Sequence, residues 1–506
     1  MLSMRELGLL GNTLGLALAV ALLALPWGTW LAWSLTRRST LGGRLWLIGI
    51  SSLLFIPLFL QAAGWDAGLG RQGWLSLQQG NVHVPLLEGW RAAVWIHAVA
   101  ALPWVVLIVG LSLGFVEPEL EEAALLDGSI LQVAWSISVR RAFSGVVFAG
   151  LWVGVLVAGE MTVTDLYQVR TYAAELYRNV PALNELPARG ELTPLTVVII
   201  VSLLTGMTLV SLTRLLPQDF FPTLRAGQAV GSFGMTGWFQ QGLVLASVMV
   251  TLGLIVGIPV GNLAVNGGIE VRPTEAGFER TWSFGRLVST VAMSPWRFSH
   301  ELLWSVTISG LAAALTVLVA SPLAWWARRS TWAWGLLISS IAICLAVPGP
   351  LVGLTIIWLL NRDSVPLLVW LYDRSILAPL LAMSVRAWPI VGLLSWYAWR
   401  SLPTAPLEAG EVEGASPWSR FTQLGWPQRR TAVWIAGLSA FAIGCGDLSA
   451  TILVTPPGLF TVSSRVFGLL HAGVDDLTAG LCLTLWGLFL MITALIACMT
   501  TSWKKP

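Results

Sequence analysis

Residues 117–141 read EPELEEAALLDGSILQVAWSISVRR, a polar stretch set between long apolar runs. A second copy begins 286 positions later: Glu122, Ala123, Ala124, Asp127 and Gly128 align with Glu408, Ala409, Gly410, Glu413 and Gly414. The copies run on into Arg141 and Pro427, and Pro427 marks an expected helix break that Arg141 lacks. A polar loop repeated at matched positions between apolar runs points to a duplicated unit with a duplicated task. Its residues suit a short helix that docks on a partner. The alanines permit close approach, the acids offer pairing to basic groups, and Gly128 and Gly414 open backbone conformations closed to other residues. Ser416 is placed to cap a following helix, with Pro417 at its first position, where no backbone donor is needed.

Working outward, the flanking runs are membrane-spanning. Of 506 residues, 56% are apolar and only 11% charged, which excludes an ordinary soluble globular chain. The runs are about 20 residues long, enough to cross a bilayer as helices, and they lack the short alternating segments of a transmembrane barrel. The expected fold is therefore all-α and polytopic. A net charge of +3 gives nucleic-acid binding no support. Cys344, Cys445, Cys482 and Cys498 fall within apolar runs without metal-ligand spacing and read as packing residues. Trp65, Trp90 and Trp334 fit an interfacial belt.

Eleven spans are expected, near 9–35, 45–65, 92–115, 142–162, 194–216, 242–265, 300–326, 332–360, 376–399, 431–453 and 478–499. The first run follows Arg5 but shows no small-residue cleavage site, and reads as a helix rather than a signal. Arg37-Arg38-Ser39-Thr40 recurs as Arg328-Arg329-Ser330-Thr331, and Pro103 matches Pro389. Two five-helix units share one orientation, and the span at 242–265 supplies the odd crossing between them. The expected divisions are 1–216 for the first repeat, 217–299 for a linker, a linking helix and an outer loop, and 300–506 for the second repeat. The polar loops occupy 117–141 and about 401–430. Arg37, Arg38, Arg44, Arg328, Arg329, Lys504 and Lys505 in short loops put both polar loops and the C-terminus inside, and the N-terminus outside.

The duplicated E-A-A loop with glycine four residues on resembles the cytoplasmic coupling loop of type I binding-protein-dependent ABC importer permeases. The resemblance implies that Glu122, Ala123, Ala124 and Gly128, with Glu408, Ala409, Gly410 and Gly414, dock on two separate ATPase subunits. It also implies an extracytoplasmic binding protein as partner and a place in the bacterial inner membrane. This chain has no G-x-x-x-x-G-K-S/T match, so it is read as a translocation subunit, not an enzyme. It binds no cofactor of its own, and the partner uses ATP.

Ionisable groups inside apolar spans usually face a cavity or a partner. Arg386 precedes Pro389 by three residues and His97 precedes Pro103 by six, while Glu160 and Asp447 follow glycines at matched positions. These four are the candidate pathway residues, read either as lining a path between the halves or as satisfied packing groups. Residues 159–177, GEMTVTDLYQVRTYAAELY, resemble the corresponding segment of fused two-repeat ferric-iron importer permeases. In that segment Tyr172, Leu176 and Tyr177 form one face of a short outer helix, with Arg170 and Glu175 solvated. Residues 461–467 are its counterpart. Glu160 and Asp447 offer oxygen ligands to Fe³⁺, whereas Arg386 suits an anion, and no metal ligand is assigned. Thiamine, phosphonate, polyamine, sulfate and molybdate importers share the loop. An ion-gradient-driven transporter also uses parallel repeats but has no need of duplicated E-A-A loops. An intramembrane enzyme needs a catalytic cluster, whereas His83, His97, His300 and His471 are scattered.

Overall fold

The computed structural model describes residues 4–37, 43–71, 73–77, 85–178, 238–274, 277–362 and 364–503. The expected span at 194–216, most of the linker at 217–241, His83, Lys504 and Lys505 lie outside the described residues. The protein is an all-α polytopic membrane protein carrying a small antiparallel hairpin, Ile269–Thr274 against Gly277–Trp282. Among the described residues, six helices are long and apolar enough to cross a bilayer, or nine if each of three bent pairs is one crossing. The first helix shows why lipid is required. Met4–Arg37 buries Leu9, Leu16, Val20 and Leu31 on one side yet exposes Leu14, Leu18 and Leu22 on the other. A helix apolar all round belongs in hydrocarbon, where it satisfies its own backbone.

Helices Met4–Arg37, Gly89–Leu113 and Phe143–Ala158 pack on one another, and Ser299–Ala327, Leu377–Arg400 and Trp426–Gly446 do the same at the corresponding places of the second half. A continuous apolar core joins Leu16, Phe59 and Val105 to Val462 and Trp486, so both halves share one interior.

Two spans expected to be continuous are elbows. The one expected at 45–65 is Leu45–Phe55 and Leu58–Leu69 at 92°, and the one at 332–360 is Thr331–Ala346 and Gly349–Leu360 at 109°. Each turns at a β-branched residue followed by proline. Ile56 (φ −71°, ψ 120°) precedes Pro57, and Val347 (φ −81°, ψ 120°) precedes Pro348. Proline keeps the preceding residue extended and lacks an N–H, so one helix stops and another starts. The span expected at 142–162 ends at Ala158, and that expected at 431–453 is the helix Trp426–Gly446.

The break expected at Pro427 is absent: residues 417–446 are helical throughout. A π-helical turn at Arg420–Gly425 opens the hydrogen-bond ladder just before Pro427, so its missing N–H is accommodated. The break falls instead in the first copy, where Ala142 leaves helical geometry (φ −83°, ψ 7°) and Ile130–Val139 meets Phe143–Ala158 at 70°. Trp65 is buried edge-on against Trp95 (centroids 5.4 Å apart) and so belongs to the core, not to an interfacial belt. The segment 267–299, expected to be an outer loop, holds the hairpin and a helix, Phe284–Arg297.

Candidate functional site

The polar loops fold alike. In the first, the helix Pro118–Leu125 leaves Glu122 and Ala123 exposed and Ala124 half-buried. Ser129 then starts the next helix through a reciprocal capping box with Gln132. In the second, Ala405–Val412 exposes Glu408 and Ala409, and Ser416 caps with its hydroxyl accepting from the Ser419 N–H at 3.1 Å, followed by Pro417. Gly414 adopts φ +81°, as expected of a turn only glycine makes freely. Gly128 does not; its turn uses ordinary backbone, because the first helix closes with bonds from the N–H groups of Leu126, Asp127 and Gly128 back to Ala123 and Ala124. Gly410 stands where the first copy has Ala124; a Cβ there would lie 2.7 Å from Leu424 Cδ1, so Leu424 would have to turn aside.

The loops are anchored by different chemistry. Glu121, one residue before the motif, is buried and lies 3.1 Å from the equally buried Arg37. Ser138 donates to Glu121, and Arg37 also donates to the carbonyls of Leu113 (2.7 Å) and Val116 (2.9 Å). Burial pushes the Glu121 carboxyl up, opposed by Ser138 and Arg37. The aligned position in the second loop is buried Leu407. That loop is tied at the surface instead, where Glu411 accepts from Arg329 (2.9 Å) and Arg420, which hold its carboxyl below the usual range. Sequence reasoning stopped at Glu122. The clue to Glu121 was its alignment with apolar Leu407 of the second copy, which marks an inward-facing position.

The four ionisable candidate residues come together as two pairs. His97 Nε2 lies 3.4 Å from Glu160 Oε2, and Arg386 Nε lies 3.4 Å from Asp447 Oδ1. Each carboxylate also closes a local turn: Glu160 accepts from the N–H groups of Thr162 (2.6 Å) and Val163 (3.0 Å), and Asp447 from those of Ala450 and Thr451 (both 3.2 Å). His97 Nδ1 lies 2.7 Å from the Ala93 carbonyl. With these partners neither carboxylate is an open oxygen ligand, and among the described residues no three His, Cys, Asp or Glu side chains gather to hold a metal.

The halves exchange contacts at this level. Gly446 packs on the first elbow, so a Cβ there would lie 2.8 Å from Pro57 Cγ. Gly159 packs on the second, where the Gly349 N–H donates to the Gly159 carbonyl at 3.4 Å. Beyond them, the short helix Tyr172–Arg178 rests on Gly349–Leu360, and Val462–Ala472 rests on Leu58–Leu69. Met161 and Leu448, at matched positions, are buried in one cluster with Ala173 and Phe467. Tyr172 and Leu176 face inward and Arg170 outward, but Glu175 is not solvated: it is 5% exposed and paired with Arg5, brought over by the start of the first helix.

Across the same face, Asp165 of the first half meets His471 of the second at 3.4 Å and accepts from Arg178 Nε at 2.7 Å. Burial pushes the Asp165 carboxyl up, but the bonds from His471 and Arg178 outweigh it and hold it below its ordinary 3.8. The bond to Asp165 likewise holds the His471 ring above its ordinary 6.5, against burial. The histidine's contribution is full below pH 6.5 and lost as pH rises through its raised value, while that of Asp165 is present above 3.8 and lost on acidification. The contact is thus strongest between these limits. As a half-exposed pair it is worth about 0.2–1 kcal/mol. Thermal unfolding followed from pH 6 to pH 8 should show a small loss of stability in the unaltered chain that His471→Gln abolishes.

No family model matches the chain. It is 31% identical over 159 residues to the molybdenum transport system permease protein ModB of Haemophilus influenzae. The chain resembles a transport permease. The match takes in 29% of this chain and 66% of the permease, so that relative is under half as long as this chain, and just under two thirds of it is spanned.

Proposed function

We propose that this chain is the translocation subunit of an ATP-driven importer of the bacterial inner membrane. The observation that carries the reading is the pair of loops, each presenting an exposed glutamate and alanine, Glu122 with Ala123 and Glu408 with Ala409, on an anchored helix followed by a serine-capped one. Each loop docks on one ATPase subunit, and ATP hydrolysis belongs to those separate chains. Residues 1–216 and 300–506 form the two permease repeats, joined by 217–299, with the N-terminus outside and the C-terminus in the cytoplasm. Rocking of the repeats opens and closes the layer where the elbows cross, and an extracytoplasmic binding protein delivers the cargo above the helices Tyr172–Arg178 and Val462–Ala472. His97, Glu160, Arg386 and Asp447 line the path between the repeats.

Two cargoes are supported by different features. The resemblance of residues 159–177 to ferric-iron importer permeases favours Fe³⁺. The likeness to ModB, with the Arg386 guanidinium beside the crossing, favours molybdate. The test is ATPase activity of this chain reconstituted with the ATPase and binding protein encoded beside it, the latter empty, iron-loaded or molybdate-loaded. One loaded form stimulates hydrolysis, and Glu122→Arg with Glu408→Arg lowers that stimulation at least tenfold, about 1.4 kcal/mol of coupling. Both residues are exposed, so folding stability changes by no more than about 0.5 kcal/mol. Uptake that follows an ion gradient with no ATPase involved would overturn the proposal.

A further inference from the structure

The helix Phe284–Arg297 lies between two membrane crossings, after the helix ending at Gly268 and before Ser299–Ala327. Its level in the membrane follows from the second of these. The far end of Ser299–Ala327 runs into Arg329, which pairs with Glu411 of the second polar loop. Its near end is 29 residues away, about 43 Å along a helix at about 1.5 Å per residue. That exceeds the roughly 30 Å of hydrocarbon, so the near end stands at the opposite headgroup level.

The helix has three faces. One, carrying Leu287, Thr290 and Ser294, packs inward: a Cβ on Gly480 would lie 2.7 Å from Ser294 Oγ, and one on Gly267 would lie 3.2 Å from Leu287 Cδ1. A second, about 100° round, carries Phe284 and Val288, both exposed, with Pro295 between them in angle. The third carries Arg286, paired with Asp476 at 3.4 Å, and Arg297, with exposed Met293 beside them and Ser289 at its edge. Trp296 is 82% exposed and Trp282, at the end of the hairpin, is 53% exposed. On the same face of the membrane the helix Pro366–Arg374 buries none of its residues, exposes Leu367 and Trp370, and ends in Asp373-Arg374.

We infer that Phe284–Arg297 is an interfacial helix seated in phospholipid, on the leaflet opposite the polar loops. Phe284 and Val288 enter the acyl boundary, Trp282 and Trp296 lie at headgroup depth, and Arg297 meets lipid phosphate. The occupant is the bilayer, because the helix is held at that depth by the spans on either side and keeps exposed Phe284 and Val288 on a face apart from Arg286 and Arg297, with tryptophans at its ends as a bilayer interface has them. Pro366–Arg374 is a second contact of the same kind. This holds whether or not the chain moves its cargo by ATP.

The test uses the full chain in phospholipid nanodiscs without any partner protein. With its four cysteines replaced by serine or alanine, Val288→Cys or Ser289→Cys is labelled with an environment-sensitive fluorophore. The expected result is blue-shifted emission at 288 and at least twofold stronger quenching there by shallow spin-labelled lipid than at 289. Emission at 288 as red-shifted and unquenched as at 289 would overturn the inference. Hydroxyl-radical footprinting of the unaltered chain gives a readout independent of the substitutions. Oxidation of Trp296 below about one fifth of that at exposed Trp418 on the second polar loop supports lipid seating, and equal oxidation of the two overturns it.

Discussion

Glu121→Ala destabilises the folded chain by about 3–5 kcal/mol, because it strands the buried Arg37 guanidinium without its counter-charge. The two side chains are 1% and 2% exposed, so water cannot replace the lost carboxylate. The first polar loop is pinned to the first helix by this pair. Its loss therefore frees the segment that holds Glu122 in place, and on the proposed function ATPase stimulation falls with stability. The compensating experiment is built into the protein, since the aligned position of the second copy is apolar Leu407. Glu121→Leu combined with Arg37→Met removes both charges and should recover most of the loss, less the cost of leaving the Leu113 and Val116 carbonyls without a donor. Unfolding midpoints of the single and double variants in one detergent check this. A single variant as stable as the unaltered chain would show that the pair does not anchor the loop.

Arg386→Ala has an effect of the same size for the same reason, at the crossing of the halves. Asp447 is 7% exposed, and without Arg386 its charge keeps only the two backbone donors of Ala450 and Thr451. A loss of about 3–5 kcal/mol is expected, together with loss of uptake. Arg386→Met with Asp447→Asn removes both charges and restores folding. That double variant separates the two readings of these residues. Recovered stability without recovered uptake assigns the charges to the pathway, whereas recovery of both assigns them to packing alone.

What could be read from the sequence divides along physical lines. The repeated loops, their Ser416 cap and the turn at Gly414 were legible because they depend on neighbours in sequence. The elbows were missed although Ile56-Pro57 and Val347-Pro348 announce them, because apolarity reports depth in the membrane and not backbone direction. His97 and Glu160 were singled out separately, as were Arg386 and Asp447. Their pairing was not legible, since partners more than sixty residues apart meet only through helix packing. Glu175 was misassigned to solvent because its partner, Arg5, comes from the far end of the chain. The close approach of Leu424 to Gly410 was likewise not legible, since it depends on how the loop folds back.

The exchange of contacts at the elbows also bears on which substitutions each half tolerates. Pro57 is fitted by Gly446 and Pro348 is faced by Gly159, so each elbow is in contact with the other half. A Cβ gained at Gly446 would press on Pro57 at 2.8 Å, whereas one at Gly159 would only touch Pro348 at 3.5 Å, so the first elbow is the less forgiving of the two.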